Sequence, residues 1–213
     1  MRITIFGAAG DVGSRIATEA VSRGHDVTAV VRRAEQITEL PNTLSGQLAD
    51  AANSASVAKF GEGQDLIISA IRPPEGSEYL LPELTKSVLD GAAKANTRVL
   101  IVGGAASLKV PGLNGHTVLS APDFLPLSVV NIARACQEQF EIIKSETEVN
   151  WSYLCPPAML TPGIRTGKYR LGSDELVVDT DGLSAISMED FAVAMLDEAE
   201  HPLHTRKRFT AAY

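Results

Sequence analysis

Three glycines, at positions 7, 10 and 13, restrict this chain more than any other feature of it. They stand in Gly7-Ala8-Ala9-Gly10-Asp11-Val12-Gly13, behind the apolar run Ile3-Thr4-Ile5-Phe6 and ahead of a helical pattern over residues 12–23. A glycine turn between a strand and a helix lets the backbone approach a pyrophosphate. The helix start then offers N–H groups and positive dipole to the anion. The spacing is GxxGxxG rather than GxGxxG, and close helix–strand packing also selects glycine, so the pattern needs its context. That context is present: a second strand, rich in Val and Thr, is predicted over residues 26–31 and completes the unit.

The alternation continues along the chain. Strands are predicted over residues 44–49, 66–71, 99–102 and 151–155, and helices over 33–40, 54–60, 78–95 and 128–145. Leu81, Leu84, Val88, Leu89 and Ala92 carry helical spacing. The unbroken run Leu66-Ile67-Ile68 suits a strand covered on both faces. The expected fold is α/β: a Rossmann-like, doubly wound parallel sheet. After Pro157 the texture changes. Residues 169–171 and 176–178 read as a hairpin around Gly172-Ser173-Asp174-Glu175, and Ser187 reads as the N-cap of a helix. A last strand is expected over 208–211, with Arg206-Lys207-Arg208 on a solvated edge. With 213 residues the chain reads as one domain, 1–213, in which residues 156–206 supply a small C-terminal substrate lobe.

Composition excludes several classes. Nineteen Lys and Arg against 26 Asp and Glu leave a formal charge of −7, which argues against nucleic-acid and anionic-membrane partners. No apolar stretch approaches membrane-helix length, and the start is too short and too Gly-rich for a signal peptide, so a cytoplasmic protein is expected. Cys136 and Cys155 are expected to be free thiols. No metal site is expected, because His25, His116, His201 and His204 lack ligand spacing. Nucleophile-elbow patterns are absent as well.

A nicotinamide dinucleotide is therefore the expected cofactor, held by Gly7, Ala9, Gly10, Asp11, Val12 and Gly13. The second strand ends Val30-Val31-Arg32-Arg33, without the acid that takes the ribose 2′-OH of NAD. Arg32 and Arg33 suit a 2′-phosphate, through charge and the guanidinium fork, so NADP(H) is expected ahead of NAD(H). Asp11 cuts the other way, since a carboxylate near a 2′-phosphate is unfavourable. Three more segments fall at predicted strand ends, where open α/β sheets bind ligands. Asp50 is a candidate for the adenine amino group, or simply a helix cap. Ser69, Ala70 and Ile71 are candidates beside the adenosine ribose. Gly103 and Gly104 lead to Ser107, which either faces the nicotinamide or is a turn hydroxyl.

These residues together resemble the atypical short-chain dehydrogenase/reductases of NmrA-like type, and among them the small bacterial proteins described as NADH-flavin reductases. The resemblance rests on Gly7 to Gly13, Val30-Val31-Arg32, Val102-Gly103-Gly104-Ala105-Ala106-Ser107-Leu108 and residues 151–159. Arg165-Thr166-Gly167-Lys168-Tyr169 and Ser184-Ala185-Ile186-Ser187-Met188-Glu189-Asp190 complete it. It implies a cleft between the sheet and the C-terminal lobe, Pro156 beside the nicotinamide carboxamide, and Ser107 as the reductase serine.

One departure governs the expected chemistry. Typical short-chain reductases carry a YxxxK pair on the helix that corresponds to residues 128–145, where this chain has Asn131-Ile132-Ala133-Arg134-Ala135-Cys136-Gln137-Glu138. Carbonyl reduction, epimerisation and dehydration lose their acid. Hydride transfer to FMN or FAD as a diffusing substrate does not need one, because the flavin carries the chemistry and the protein aligns two rings. The expected function is an NAD(P)H-dependent reductase of a flavin or similar conjugated small-molecule acceptor. A non-catalytic NADP(H) redox sensor and a reductase of one secondary metabolite are the alternatives.

Overall fold

Strand β1 (Arg2–Phe6) is buried from Ile3 onward, and the rest of the chain is laid down on both sides of it. The computed structural model describes residues 1–41 and 44–213. In chain order there follow α1 (Asp11–Ser22), β2 (Asp26–Val31), β3 (Ser45–Leu48), α2 (Ser54–Gly61), β4 (Leu66–Ser69) and α3 (Leu81–Ala95). Next come β5 (Arg98–Val102), α4 (Val130–Ser145), β6 (Trp151–Cys155), β7 (Met159–Thr161) and β8 (Arg170–Gly172). The chain closes with β9 (Ala185–Ser187), α5 (Met188–Glu200) and β10 (Lys207–Ala212). The eight-stranded sheet runs β3-β2-β1-β4-β5-β6-β10-β8 and is parallel except for β8, which pairs antiparallel with β10. This is the expected Rossmann-like order, extended by two strands.

Both faces of the sheet are covered. Ile5, Leu100 and Phe209 pack with Ile16 and Ala20 of α1 and with Phe191 and Leu196 of α5. On the other face Phe6, Ile67 and Tyr153 pack with Val57, Val88 and Phe140 of α2, α3 and α4. That double burial explains why β4 and β6 are apolar at almost every position. The ends of α5 and α2 follow from local chemistry: Ser187 accepts the Asp190 N–H at 3.0 Å, and Asn53 accepts from Ala55 and Ser56.

Residues 156–187 cross the carboxyl end of the sheet and include the small parallel pair β7–β9. Carboxylates of α1 and α5 pin this segment. Asp190, fully buried, accepts the Thr166 and Gly167 N–H groups at 2.8 and 2.7 Å and the Thr166 and Tyr213 hydroxyls at 2.6 and 2.8 Å. Glu19 receives both arms of Arg165 at 2.7 and 2.8 Å and also Arg23. Glu189 binds Arg15 and the Gly163 N–H.

Three sequence expectations are corrected. Residues 169–171 and 176–178 do not form a hairpin. Instead β8 joins β10, while Leu176 is buried and its N–H binds the Lys109 carbonyl, so burial of one leucine diverts the return strand. Of Arg206-Lys207-Arg208, Arg206 and Lys207 are exposed and this end of β10 pairs with β6 alone, but the Arg208 side chain is turned inward to Asp174 and Ser107 and is not part of a solvated edge. The helix expected over 33–40 is a 3-10 turn, Ala34–Glu39.

Burial alone raises the Asp190 pKa, but its donors on Thr166, Gly167 and Tyr213 outweigh burial and hold the carboxyl below its usual range. Its stabilising contribution is present above the unfolded-state pKa, near 3.8, and is lost as the pH falls through the lower folded-state value. Asp190→Ala should cost about 3 kcal/mol, since several donors lose a charged acceptor together. Chemical denaturation at pH 7 measures the loss. A change within experimental error would mean that Asp190 does not hold this segment.

Candidate functional site

The carboxyl ends of β1, β2, β4, β5 and β6 open into a cavity of about 810 Å³, closed on the far side by Pro156, Pro157, Ala158, Leu160 and Met188. At its centre lies the glycine turn, and the three glycines do different work. Gly7 has φ +81°, and a Cβ there would lie 2.5 Å from the Ala70 carbonyl oxygen. A Cβ on Gly13 would lie 2.1 Å from the Gly7 carbonyl oxygen. These two let α1 and the chain leaving β4 close on the turn. Gly10 is exposed and faces the cavity, and a Cβ there would meet only the Gly7 oxygen, at 3.3 Å. Helix α1 begins after Gly10 with no side-chain cap, so its first N–H groups are offered to the cavity, which Asp11 and Val12 also line.

On the β2–β3 side the cavity is lined by Arg32, Gln36, Ala49 and Asp50. Arg32 is exposed, and no carboxylate among the described residues pairs with it. Asp50 accepts the Ala52 N–H at 2.9 Å, the bond of a turn-forming aspartate, while still bordering the cavity. The group that fits here is an extended one, with an anion over the α1 start and a second negative charge at Arg32. A nicotinamide adenine dinucleotide is such an extended group.

The β5–β6 side was less visible in the sequence. Gly103 and Gly104 are pressed between Tyr153 and Cys136. A Cβ on Gly103 would lie 2.2 Å from the Tyr153 ring, and one on Gly104 would lie 2.5 Å from the Cys136 sulfur. The Tyr153 hydroxyl accepts the Gly104 N–H at 3.0 Å and donates to Gln139 Oε1 at 2.9 Å. Gln139 Nε2 in turn donates to Thr85 at 3.0 Å. Burial, with Cys155 and Cys136 nearby, holds this phenol protonated well above its usual range. Burial also pushes the Cys136 thiol up to about 11. Ile132 and Cys136, one helical turn apart on α4, both face the cavity, as do Val129 and Ala133. A phenol in a buried strand needs partners, and that was the available signal for Gln139 and Thr85.

The cavity brings together Gly7, Ala9, Gly10, Asp11, Val12, Arg32, Asp50, Ala70, Ile71, Gly103, Gly104 and Pro156. Four expected residues do not line it. Gly13 is consumed by packing, Ser69 is buried at the end of β4, and Arg33 is exposed outside it. Ser107 corrects the expectation that it faces the nicotinamide. It is 8% exposed, and Arg208 donates to its hydroxyl at 2.6 Å and to its carbonyl at 3.0 Å. Arg208 also binds Asp174 at 2.7 Å, so Ser107 belongs to a bridge between the β5 loop and β10.

Gly10→Val should abolish dinucleotide binding and leave the melting temperature nearly unchanged, because its side chain would extend into the cavity and not into the core. Gly13→Val should destabilise the fold instead. Calorimetric titration and thermal melts check both, and an unaltered NADPH affinity in Gly10→Val would dissociate the glycine turn from the ligand.

The comparisons with known proteins agree with this geometry. Residues 7–202 match the family model described as NAD(P)H-binding. The chain is 34% identical over 212 residues to the uncharacterized protein YwnB of Bacillus subtilis (strain 168), covering 99% of this chain and 97% of that one. A "putative epimerase" from Bacteroides thetaiotaomicron superposes with a TM-score of 0.88 at 38% identity, over 100% of this chain and 96% of the other. A "putative NADH-flavin reductase" from Streptococcus pneumoniae TIGR4 superposes with a TM-score of 0.85 at 27% identity, over 100% and 99%. With the glycine turn, the uncapped start of α1 and a match across nearly its whole length, this chain belongs to the NAD(P)H-binding family.

Proposed function

We propose that the protein is an NADPH-preferring oxidoreductase that passes hydride to a flavin or another conjugated acceptor. The observation that carries this reading is the cavity wall opposite Gly103 and Gly104. The cavity-facing positions of α4 one turn apart are Ile132 and Cys136, and neither can act as the acid of a carbonyl reductase. The Cys136 thiol stays protonated at neutral pH and is a poor proton donor there. Epimerase and dehydratase chemistry would need such a group, so the name of the Bacteroides relative does not transfer.

In this reading the dinucleotide lies across the turn, with its pyrophosphate at Gly10 and the α1 N–H groups, its 2′-phosphate at Arg32 and its adenine beside Asp50. Ala70 and Ile71 flank the ribose. The nicotinamide lies along Gly103, Gly104 and Pro156, where the Tyr153–Gln139 bonds fix the backbone. The cofactor supplies hydride. The chain's residues orient the ring and exclude water, and solvent supplies the proton that a reduced flavin takes up. Ser107, buried and held by Arg208, lies behind the cavity wall and does not reach the acceptor. The β7–β9 segment and the residues pinned by Asp190 and Glu19 form the substrate-side lobe.

Mixing pure protein with NADPH and FMN should give loss of reduced-nicotinamide absorbance. Tight NADPH binding with no turnover on flavins or quinones would favour a redox sensor instead. A charge-assisted pair with a phosphate contributes roughly 1.5–3 kcal/mol, or about ten- to a hundred-fold in affinity. Arg32→Ala should weaken NADPH by that factor and leave NADH nearly untouched. Equal binding of NADH and NADPH by the wild type would refute the role given to Arg32.

A further inference from the structure

Five charged side chains line the cavity: Asp11, Arg32, Asp50, Arg72 and Glu75. The first three lie at α1, β2 and β3 and are accounted for by the dinucleotide. Arg72 is not. It comes three residues after the end of β4, and β1 with the glycine turn lies between β4 and β2. At strand spacings near 4.8 Å, that sets Arg72 on the opposite side of the turn from Arg32, about 10 Å across the sheet.

Its surroundings are those of a ligand-binding guanidinium. Arg23, Arg98, Arg165 and Arg208 each hold a carboxylate within the fold. Arg72 is exposed on the cavity, and among the described residues no carboxylate pairs with it. Glu75, the acid on this side, is three residues on and is likewise not bridged to it. Arg72 draws the Cys136 thiol downward against the larger effect of burial, which sets it across from α4 and near Gly104. The adjoining wall is apolar: Leu84, Leu125, Val129 and Ile132 are only partly covered and face the cavity. A slot with apolar sides and one free guanidinium at its margin recognises a flat, apolar body bearing a single oxyanionic group.

We propose that Arg72 forms a second anion subsite of the cavity, on the acceptor side, and selects planar acceptors that carry a phosphate or carboxylate over neutral ones. This deepens the oxidoreductase reading and rests on it for the word acceptor, but the subsite is testable by binding alone. The guanidinium fork donates to two oxygens of either group, and the flexible side chain can follow an acceptor entering over the seated nicotinamide.

The test uses the full chain saturated with NADP⁺ and follows quenching of flavin fluorescence at low salt. FMN and a flavin with a carboxymethyl group on N10 are compared with riboflavin. The first supplies a phosphate, the second a carboxylate, and riboflavin neither. The wild type should bind both anionic flavins roughly ten- to a hundred-fold more tightly than riboflavin. The preference should shrink as salt is raised. In Arg72→Gln the ratio should fall to about one, with NADP⁺ affinity and melting temperature retained. Preference for FMN alone would restrict the subsite to phosphate, and preference for the carboxymethyl flavin alone would restrict it to carboxylate. Equal binding of all three flavins by the wild type, no flavin binding at all, or an unchanged preference in Arg72→Gln would overturn the proposal. So would loss of NADP⁺ affinity in that variant, since Arg72 would then serve the dinucleotide. Flavin binding with the expected preference but without turnover would remove the reductase reading and leave the subsite standing.

Discussion

The contact between residue 13 and the carbonyl of Gly7 governs the rest of this molecule. A Cβ at position 13 would lie 2.1 Å from that oxygen, so α1 can lie this close to β1 only with glycine there. Closeness fixes direction as well. The helix starts immediately beyond the strand, its uncapped N–H groups face the cavity, and the chain leaving β4 runs alongside, with the Ala70 carbonyl against Gly7. Helix α5 then packs on α1, and its carboxylates hold the crossing segment over the strand ends. The anion site, the cavity and its cover thus follow from one steric allowance at the first turn.

Much of the fold was legible because its signals are local. The apolar runs of β1, β4 and β6 have the length and continuity of buried parallel strands, and the Ser187 cap announces α5 three residues ahead of its first acceptor bond. The glycine turn was legible for the same reason. What sequence could not supply was the division of labour within it. Gly7 and Gly13 serve packing and Gly10 stays open, a distinction that depends on Ala70, some sixty residues away.

The misreadings share a cause. Ser107 stands next to a glycine turn at a strand end, where a hydroxyl ordinarily meets the ligand, but Arg208 takes it from 101 residues away. The same arginine was read as part of a solvated edge, because its partners Asp174 and Ser107 are remote in the chain. The false hairpin arose where Leu176 leaves its neighbour to bury itself beside Leu108 and Val110. Long-range charge pairing and burial of single apolar residues leave no periodicity. The Tyr153–Gln139–Thr85 bonds, which set the backbone at Gly104, left only the hint of a phenol in a buried strand.

The central claim is that the open face of the glycine turn is where a dinucleotide phosphate sits. Amide NMR of the labelled protein during titration with NADPH tests it most directly. The backbone N–H signals of Asp11 and Val12, at the uncapped start of α1, should shift most and lose exchange with water, as the phosphate oxygens accept their bonds. The signals of β10, on the far side of the sheet, should move little. Binding that shifts other regions and leaves Asp11 and Val12 unmoved would contradict the account.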